Sequence, residues 1–449
     1  MAAPTRTLTR RELLALAWPV ILANAAVPLL GLADTAVIGN FGELEDLGAI
    51  AFGAVIFSFV YWTFGFLRMS TTGFVAQAVG ARDEPELRAT LWRALLTGVV
   101  LGFGLLLLQW PIGRVALWLL DGSPEVAAVT ANYFHIRIWG APAALALFAL
   151  MGLLIGLRRT RLLLFAQLFL NGLNIVLDVY FAGVLGWGAE GVALGTALAE
   201  WITLIVVGAI VLRLLRVRHA DEEAFFSGSR IRDPERLRGL LSANVDIMLR
   251  TLLLVFSFAW FIRQSAVFGD DVLAANHILL QFISFAAFFL DGYAFVVEAL
   301  VGESVGARDQ AAFDLAVRRS TELAGATSVM LAVAIALLGE SAIFLVTVHD
   351  PVRLAAAELL PWAALYVVLS FAAFQLDGIF IGATRTRAMR NASAFAVLVF
   401  LPSAWVLMPA LGGHGLWLAF VGYVCARALG LGFYYPSLRR DVAGPRARH

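Results

Sequence analysis

The chain has 449 residues, of which 61% are hydrophobic and only 14% are charged, whereas about a quarter of the residues in an ordinary soluble domain carry charge. This composition excludes a soluble globular protein and indicates an all-α protein that crosses a membrane many times. The formal net charge is only +1, and Cys425 is the single cysteine. One cysteine cannot form a disulfide within the chain or a multi-cysteine metal site, so we expect no redox centre and no bound cofactor.

Twelve apolar runs are long enough to cross the hydrocarbon core of a bilayer, which takes about 20 helical residues. Glycine, proline or charged residues bound each run. The predicted spans are residues 13–38, 47–71, 90–112, 128–157, 162–184, 190–214, 240–268, 273–300, 316–339, 355–383, 389–411 and 415–436.

The basic residues, all of them arginine, are distributed unequally between the two sides of the predicted membrane. Most lie in the two termini and in alternate gaps between spans, while the opposite side of the membrane has only Arg114, Arg263 and Arg353. An excess of arginine marks the cytoplasmic side, which predicts an inner-membrane protein with both termini in the cytoplasm. The membrane topology thus explains where the arginines lie along the chain, and we expect no nucleic-acid partner.

Two sequence blocks recur along the chain at one spacing. VAQAVGARD at 75–83 returns as VGESVGARD at 301–309, and FALMGLLIGLRRTR at 148–161 returns as FQLDGIFIGATRTR at 374–387. Both pairs are 226 residues apart, which indicates a duplicated unit. The unit contains six spans, an even number, so the halves share one membrane orientation and are related by a pseudo-two-fold axis along the membrane normal.

The repeat and the polarity of the chain predict its domain organisation. Residues 1–214 form an N-terminal lobe of six spans, and residues 240–449 form a C-terminal lobe of six more. The longest polar stretch, residues 215–239, is expected to be a cytoplasmic linker.

Several polar residues lie inside predicted spans, where a carboxylate costs ~2.5–3.5 kcal/mol on insertion scales. Asp34 is in span one, Asn174 and Asp178 share a face of span five, and Thr196 and Glu200 have the same i, i+4 spacing in span six. Counting residues from the cytoplasmic ends places Asp34, Asp178 and Thr196 in the outer half of the membrane. We therefore expect these side chains to meet.

Such a cluster can bind a cation. Several acids in one apolar pocket cannot all remain ionised, so the pocket would take up and release a proton. The same carboxylate, amide and hydroxyl oxygens could also hold sodium. Helix-to-helix hydrogen bonding without coupling is the alternative, and it is a stronger one for Thr196 and Glu200. Pro19 and Pro28 each remove a backbone hydrogen bond from the first helix and allow it to bend.

The second half does not repeat this polar site. At a spacing of 226 the residues that correspond to the cluster are Trp260, Phe400 and Ala404. Spans seven, eight and ten instead carry a different charged group, with a structural ion-pair network as the favoured interpretation. The alternative is a substrate contact or a second acid site, for which Asp377 is the best candidate; the residues concerned are Arg250, Asp291, Glu298 and Asp377.

Six further motifs distinguish the sequence: PLLGLADTAVIG at 28–39, LRMSTTG at 67–73, AQAVGARD at 76–83, LNIVLDVY at 173–180, DIMLRTLLL at 246–254 and LDGIFIGATRTRAMRN at 376–391. With these motifs the sequence resembles a known family, the multidrug and toxic compound extrusion (MATE) transporters, and in particular its DinF-like branch. The resemblance implies two six-helix lobes around a V-shaped central cavity, and export of organic compounds against uptake of protons or sodium.

Position by position, the resemblance also implies roles for individual residues. Asp34 matches the first-helix carboxylate that is central to coupling, Pro19 matches the proline at which that helix bends, and Asp377 is similar to a tenth-helix acid of other branches. The rest of the N-terminal polar network is matched by Asn174, Asp178 and Thr196. Span seven departs from some branches because Asp246 and Arg250 replace a glutamate, which argues against a sodium site in the C-terminal lobe.

Together these features predict a secondary antiporter, a monomer in the lipid bilayer, that exports amphipathic or cationic organic compounds by alternating access. Inward proton flow through Asp34 and its neighbours is the expected driving force. The alternatives are sodium-coupled export through the same residues and flipping of a lipid-linked precursor. We do not expect an enzyme, because no DDxxD, HxxxxD or HExxH motif is present.

Overall fold

The computed structural model describes residues 8–120, 122–218 and 224–443, and these residues form helices joined by short turns, without a β-strand. The helices are α1 (Arg10–Phe41), α2 (Leu44–Phe64), α3 (Phe66–Ala81), α4 (Glu84–Leu107), α5 (Gln109–Leu120), α6 (Pro124–Arg137), α7 (Ala141–Gly156), α8 (Thr160–Asp178), α9 (Gly188–Arg218), α10 (Gly228–Ile231), α11 (Pro234–Ser265), α12 (Asp270–Ala307), α13 (Gln310–Val346), α14 (Asp350–Gly382) and α15 (Thr386–Val442).

Eleven continuous or nearly continuous helical segments in the described residues are long and apolar enough to cross a membrane. The last of them, α15, has 57 residues and as a straight rod would be about 85 Å long, far more than one bilayer requires. Gly412, at φ +58° and ψ −135°, interrupts it. We call residues 386–411 and 413–442 the first and second arms of α15. When the two arms are counted as separate spans, the described residues contain twelve spans, the number that the sequence predicts.

Several helices begin at an N-cap residue that the sequence makes recognisable. Ser123 Oγ accepts a hydrogen bond from the backbone N–H of Val126 at the start of α6, with a proline in the first turn. Asp233 does the same ahead of α11 and accepts from the N–H groups of Arg236 and Glu235. These bonds stabilise its carboxylate and lower the pKa of Asp233 from its ordinary value.

Contacts divide the described chain into two compact units. One unit comprises Leu22–Leu240. The other comprises the residues from Leu241 onward together with the first part of α1, up to Ile21. In this second unit Leu13 and Ala17 of α1 pack against Tyr293 of α12. The helix α1 therefore contributes to both units, while the lobe boundaries expected from the sequence stay a prediction.

The duplicated sequence blocks have the same local geometry in both halves. Arg82 and Arg308 end α3 and α12 in the left-handed conformation, at φ 56° and φ 54°. The next residue, Asp83 or Asp309, caps the following helix with its side chain. These pairs are all 226 residues apart in the sequence, so the repeat is a repeat of structure as well.

Helix crossings are repeated at the same spacing. A Cβ atom added to Gly152 on α7 would lie 2.4 Å from the carbonyl oxygen of Arg68, and one added to Gly378 on α14 would lie 2.6 Å from that of Ala294. In both halves the absence of a side chain lets two helices approach backbone to backbone. This packing positions α7 and α14 at the centre of their units.

The predicted linker is partly helical. Helix α9 continues to Arg218, and α10 lies within the stretch 215–239, of which residues 219–223 are outside the described residues. The described part packs on the start of α4: Arg218 pairs with Glu84 at 2.5 Å, and the rings of Phe226 and Trp92 are 4.8 Å apart. This segment is therefore attached to the unit that contains α4.

Candidate functional site

A buried amide on α8 and a hydroxyl on α9 form the first part of the site. Asn174 Nδ2 donates a hydrogen bond to Thr196 Oγ1 at 3.0 Å, and Thr196 Oγ1 donates to the carbonyl of Val192 at 2.8 Å. Because the hydroxyl has only one proton, it must accept from Asn174. One of the two N–H groups of the Asn174 amide thus binds α9, and the other is available to Asp178.

Two carboxyl groups meet next to this amide, as the sequence predicts. Asp178, one turn after Asn174, is completely buried, and Asp34 of α1 is half-buried. Their carboxyl groups are close enough to share a hydrogen bond. Two ionised carboxylates are both acceptors, so this bond forms only when one of them carries a proton. We call these two residues the Asp34–Asp178 pair.

The acceptors around the pair outnumber the donors. At this cluster, four buried oxygens have no hydrogen-bond partner among the described residues: Asp34 Oδ1, Asn174 Oδ1, Asp178 Oδ1 and Asp178 Oδ2. A buried polar group without a partner costs about 1–3 kcal/mol, and more when it is charged. Uptake of a cation would relieve this cost.

The backbone next to Asp178 has an unusual conformation that the sequence analysis did not predict. Asp178 is the last residue of α8, and Val179–Val184 form a π-helix in which the N–H of Leu185 donates to the carbonyl of Tyr180 at 3.0 Å. Single π-turns within α-helices are rare and are frequent at functional sites. The equivalent residues of the second half, 405–410, are α-helical.

Glu200 lies in an ion pair with Arg137. Arg137 Nη2 is 2.7 Å from Glu200 Oε1, and Arg137 Nη1 is 2.9 Å from Oε2, so the pair is bidentate. Both side chains are buried. The guanidinium also donates to Tyr61 Oη at 3.1 Å and lies 4.9 Å from the centre of the Phe57 ring. No local pattern in the sequence marks Arg137 as the partner of Glu200, which lies 63 positions away.

Arg137 connects this ion pair to the two aspartates, since it interacts electrostatically with both Asp34 and Asp178. The structure thus brings together Asp34, Asn174, Asp178 and Thr196, and joins Glu200 to them through an arginine. The buried guanidinium of Arg137 thus neighbours three carboxyl groups, those of Glu200, Asp34 and Asp178. Acidic groups outnumber basic groups in this cluster.

Close packing of α8 and α9 positions the Asp178 carboxyl. A Cβ atom on Gly195 would lie 2.3 Å from Asp178 Oδ1, so only glycine leaves room for the carboxyl at this position of α9. Asn171, earlier on α8, donates from Nδ2 to the carbonyl of Ala26 at 3.0 Å. This bond attaches α8 to α1 two turns before Asp34. Neither residue was identified from the sequence.

The first helix passes through both prolines without interruption. Pro19 is buried and Pro28 is exposed, and α1 is helical from Arg10 to Phe41. In the described conformation Pro19 therefore does not end the helix. Bending at Pro19 stays a prediction.

Part of the charged group of the second half, Asp377 with Arg250, lies in an ion-pair network. Asp377 Oδ2 accepts hydrogen bonds from Arg250 Nη2 and, at 2.5 Å, from Arg427 Nη2. Glu298 is buried and Asp291 is half-buried on α12. With two arginines on one carboxylate oxygen, the geometry favours the structural interpretation of Asp377, and its alternative role as a substrate contact or second acid stays a prediction.

An aromatic contact occupies the position that corresponds to the N-terminal polar site. Trp260 and Phe400 lie with their ring centres 5.0 Å apart, and Phe400 and Ala404 are fully buried. Only one of the two homologous positions therefore has carboxyl groups.

Comparison with known proteins identifies the family. Residues 19–180 and 247–406 match the MatE family model, one match in each half. The chain is 38% identical over 416 residues to the DNA damage-inducible protein F of Escherichia coli (strain K12), covering 93% of this chain and 90% of that protein. It is 27% identical over 429 residues to a probable multidrug resistance protein NorM of Pasteurella multocida (strain Pm70), covering 92% and 90% of the two chains.

Solved structures show the same fold. The MATE transporter VcmN of Vibrio cholerae in the bent form superposes with a TM-score of 0.85 at 18% identity, covering 96% of this chain and 97% of that one. A multidrug resistance MATE family transporter in an outward-facing conformation gives a TM-score of 0.84, also at 18% identity, with 96% of each chain covered. The family match in both halves and the identity to DNA damage-inducible protein F show that the chain is a multi-pass membrane transporter of the MatE family, the multidrug and toxic compound extrusion transporters, in its DinF-like branch.

Proposed function

We propose that this transporter is an antiporter that exports amphipathic or cationic organic compounds against inward proton flow, and that the Asp34–Asp178 pair carries the proton. The observation that supports this most directly is the set of four buried oxygens without a donor. When both carboxyl groups are ionised, two hydrogen-bond acceptors face each other. A proton on one of them allows it to donate a hydrogen bond to the other. The two aspartates lie on α1 and α8, so the proton changes the contact between these helices.

Coupling requires that the proton and the cargo bind the two conformations of the transporter unequally. Protonation of the pair would hold α1 against α8, while two ionised carboxylates would repel each other. We propose that α1 bends at Pro19, so that Ala26 and Asp34, which both follow the proline, move together relative to α8. The hydrogen bond from Asn171 to the carbonyl of Ala26 is then part of the contact that this movement changes.

Sodium is the second candidate for the coupling ion. The same four oxygens are carboxylate and amide oxygens, which are suitable ligands for a hard cation. Thr196 contributes less, because its hydroxyl already donates to Val192 and accepts from Asn174.

Reconstitution in liposomes distinguishes the two ions. A pH gradient and a sodium gradient would be imposed separately, and efflux of a fluorescent organic cation would be followed. We expect the pH gradient alone to drive transport. Transport driven only by the sodium gradient would reject proton coupling and retain the same residues as a sodium site.

We also propose that the protein lies in the inner membrane with both termini in the cytoplasm. The arginine-rich gaps support this orientation; Arg82, Arg158 and Arg308 lie in the turns that follow α3, α7 and α12.

The packing at Gly195 gives a prediction about the site. Gly195→Ala would place a methyl group against Asp178 Oδ1 and displace the carboxyl from Asp34, so we expect gradient-driven efflux to fall by roughly tenfold, as small misplacements of reacting groups can do. Gly208→Ala is the matched control, because Gly208 lies on the same helix with no atom within 4 Å of a new Cβ. Equal efflux by the two variants would contradict the proposed position of Asp178.

A further inference from the structure

A groove lies between α11 and the first arm of α15, within one unit of the fold. It consists of two adjoining cavities of about 450 Å³ and 490 Å³, both bordered by Arg390. Each volume falls within the range of small-molecule sites in proteins. The residues proposed above for proton coupling are all in the other half of the chain, so this groove is a separate feature.

One end of the groove is basic. Asp246 is buried at its floor and accepts from Thr386 Oγ1 at 3.0 Å and from Arg390 Nη1 at 2.7 Å. The Arg390 side chain remains 38% exposed. Arg387 also borders this end, is exposed, and has no ion-pair or hydrogen-bond partner in the described part of the chain. Two arginines and one aspartate leave an excess of one positive charge.

The start of α15 adds to this positive potential. Thr386 is the first residue of the helix, and the N-cap residue Arg385 makes no side-chain hydrogen bond to the first turn. The first N–H groups of an uncapped helix favour a nearby anion. Arg387 and Arg390 both lie within two turns of this helix end, and their charges reinforce the same field.

The other end of the groove is apolar. It is lined by Leu249, Leu252, Leu253 and Phe256 of α11 and by Ala394 of α15, with Arg390 and Asn391 of α15 completing the lining. Phe256 and Leu249 are exposed, so the groove is open along this side. A basic end that continues into an aliphatic channel along a membrane helix fits a molecule with an anionic head and a long hydrocarbon chain.

The duplicated half lacks this arrangement. At a spacing of 226 residues, Asp246 and Arg390 correspond to Val20 and Leu164, whereas Arg387 corresponds to another arginine, Arg161. The acid–arginine pair therefore exists only in the C-terminal half. Arg161, which is exposed like Arg387, provides an internal control for the charge alone.

We propose that this groove binds one anionic phospholipid of the surrounding bilayer, with the phosphate at Arg387 and Arg390 and an acyl chain along Leu249, Leu252 and Phe256. The lipid would contact both α11 and α15 from the bilayer side. It would thus hold the two helices together, in addition to the hydrogen bonds that Asp246 of α11 accepts from Thr386 and Arg390 of α15. This inference needs only the membrane location of the chain and is independent of which ion drives transport.

Native mass spectrometry of the purified full-length protein tests the proposal. Dioleoyl phosphatidylglycerol and dioleoyl phosphatidylcholine would be titrated separately, since they share acyl chains and differ in head-group charge. We expect tighter binding of one phosphatidylglycerol. We expect Arg387→Gln to weaken that binding about fivefold, the effect of one arginine close to an anionic head group, and Arg161→Gln to leave it unchanged. Arg387 is exposed and unpaired, so its replacement should not impair folding.

A second variant and a second probe test the apolar part of the groove. Ala394→Phe would fill the channel, and we expect it to weaken phosphatidylglycerol binding while the thermal unfolding midpoint stays within a few degrees of that of the unchanged protein. Inorganic phosphate in millimolar excess should not displace the lipid. The proposal is overturned if Arg387→Gln and Arg161→Gln behave alike, if the two lipids bind equally, or if phosphate alone competes fully.

Discussion

Replacement of Asp34 by asparagine should abolish gradient-driven efflux while leaving the fold intact. Asparagine has nearly the size of aspartate, so the packing of α1 is kept, but its amide cannot take up and release a proton. Its nitrogen can also donate permanently to Asp178, whose two oxygens have no other partner in the described residues. The variant would therefore remain in one arrangement of the pair. Efflux from liposomes under an imposed pH gradient measures this effect.

Two further variants make the result specific. Asp178→Asn should have the same effect, because its amide would donate permanently to Asp34 and the two side chains could no longer gain and lose a shared proton. Asp34→Glu keeps a titrating group on α1 and should retain part of the activity. Normal efflux by Asp34→Asn, with the protein folded and inserted, would show that the coupling site lies elsewhere.

The Arg137–Glu200 ion pair should have the largest effect on stability. Glu200→Leu leaves the buried guanidinium of Arg137 without its carboxylate, and breaking a buried pair in this way typically costs about 3–5 kcal/mol. The double variant Arg137→Met with Glu200→Leu removes both charges and should recover most of the loss. Thermal unfolding of the purified variants in one detergent provides the comparison.

An exposed ion pair of the same protein serves as the control. Arg385 and Asp441 form a pair whose side chains are 54% and 50% exposed, and solvent-exposed pairs contribute about 0–1 kcal/mol. Asp441→Asn should hardly change the unfolding midpoint. A double Arg137 and Glu200 variant as unstable as Glu200→Leu alone would show that the cost arises from lost packing instead of from an uncompensated charge.

The predicted coupling role of Glu200 can be separated from this structural one. Arg137 links Glu200 to the Asp34–Asp178 pair, because it pairs with Glu200 and interacts with both aspartates. If the stable double variant still transports under a pH gradient, Glu200 stabilises the fold and the proton needs only the two aspartates.

Much of the fold could be predicted from the sequence because its determinants are local. Apolar runs of about 20 residues must form helices in a bilayer, where every backbone polar group needs a partner within its own segment. The GARD motif gives the same left-handed turn and aspartate cap in both halves, at Asp83 and Asp309. The i, i+4 spacing likewise placed Asn174 and Asp178 on one helix face.

Local rules could not identify the partners of the polar residues. Glu200 pairs with Arg137 across 63 positions of the chain, and Asp377 accepts from Arg250 across 127 positions and from Arg427 across 50. The division of α1 at Ile21 and the π-helix after Asp178 have no distinct sequence signal either. The sequence alone determined which segments are helical, how they repeat and which of them contain charge. Which charges meet depends on the rotation and offset of each packed helix, and these are set by the combined packing of side chains distant in the sequence, so only the tertiary structure decided them.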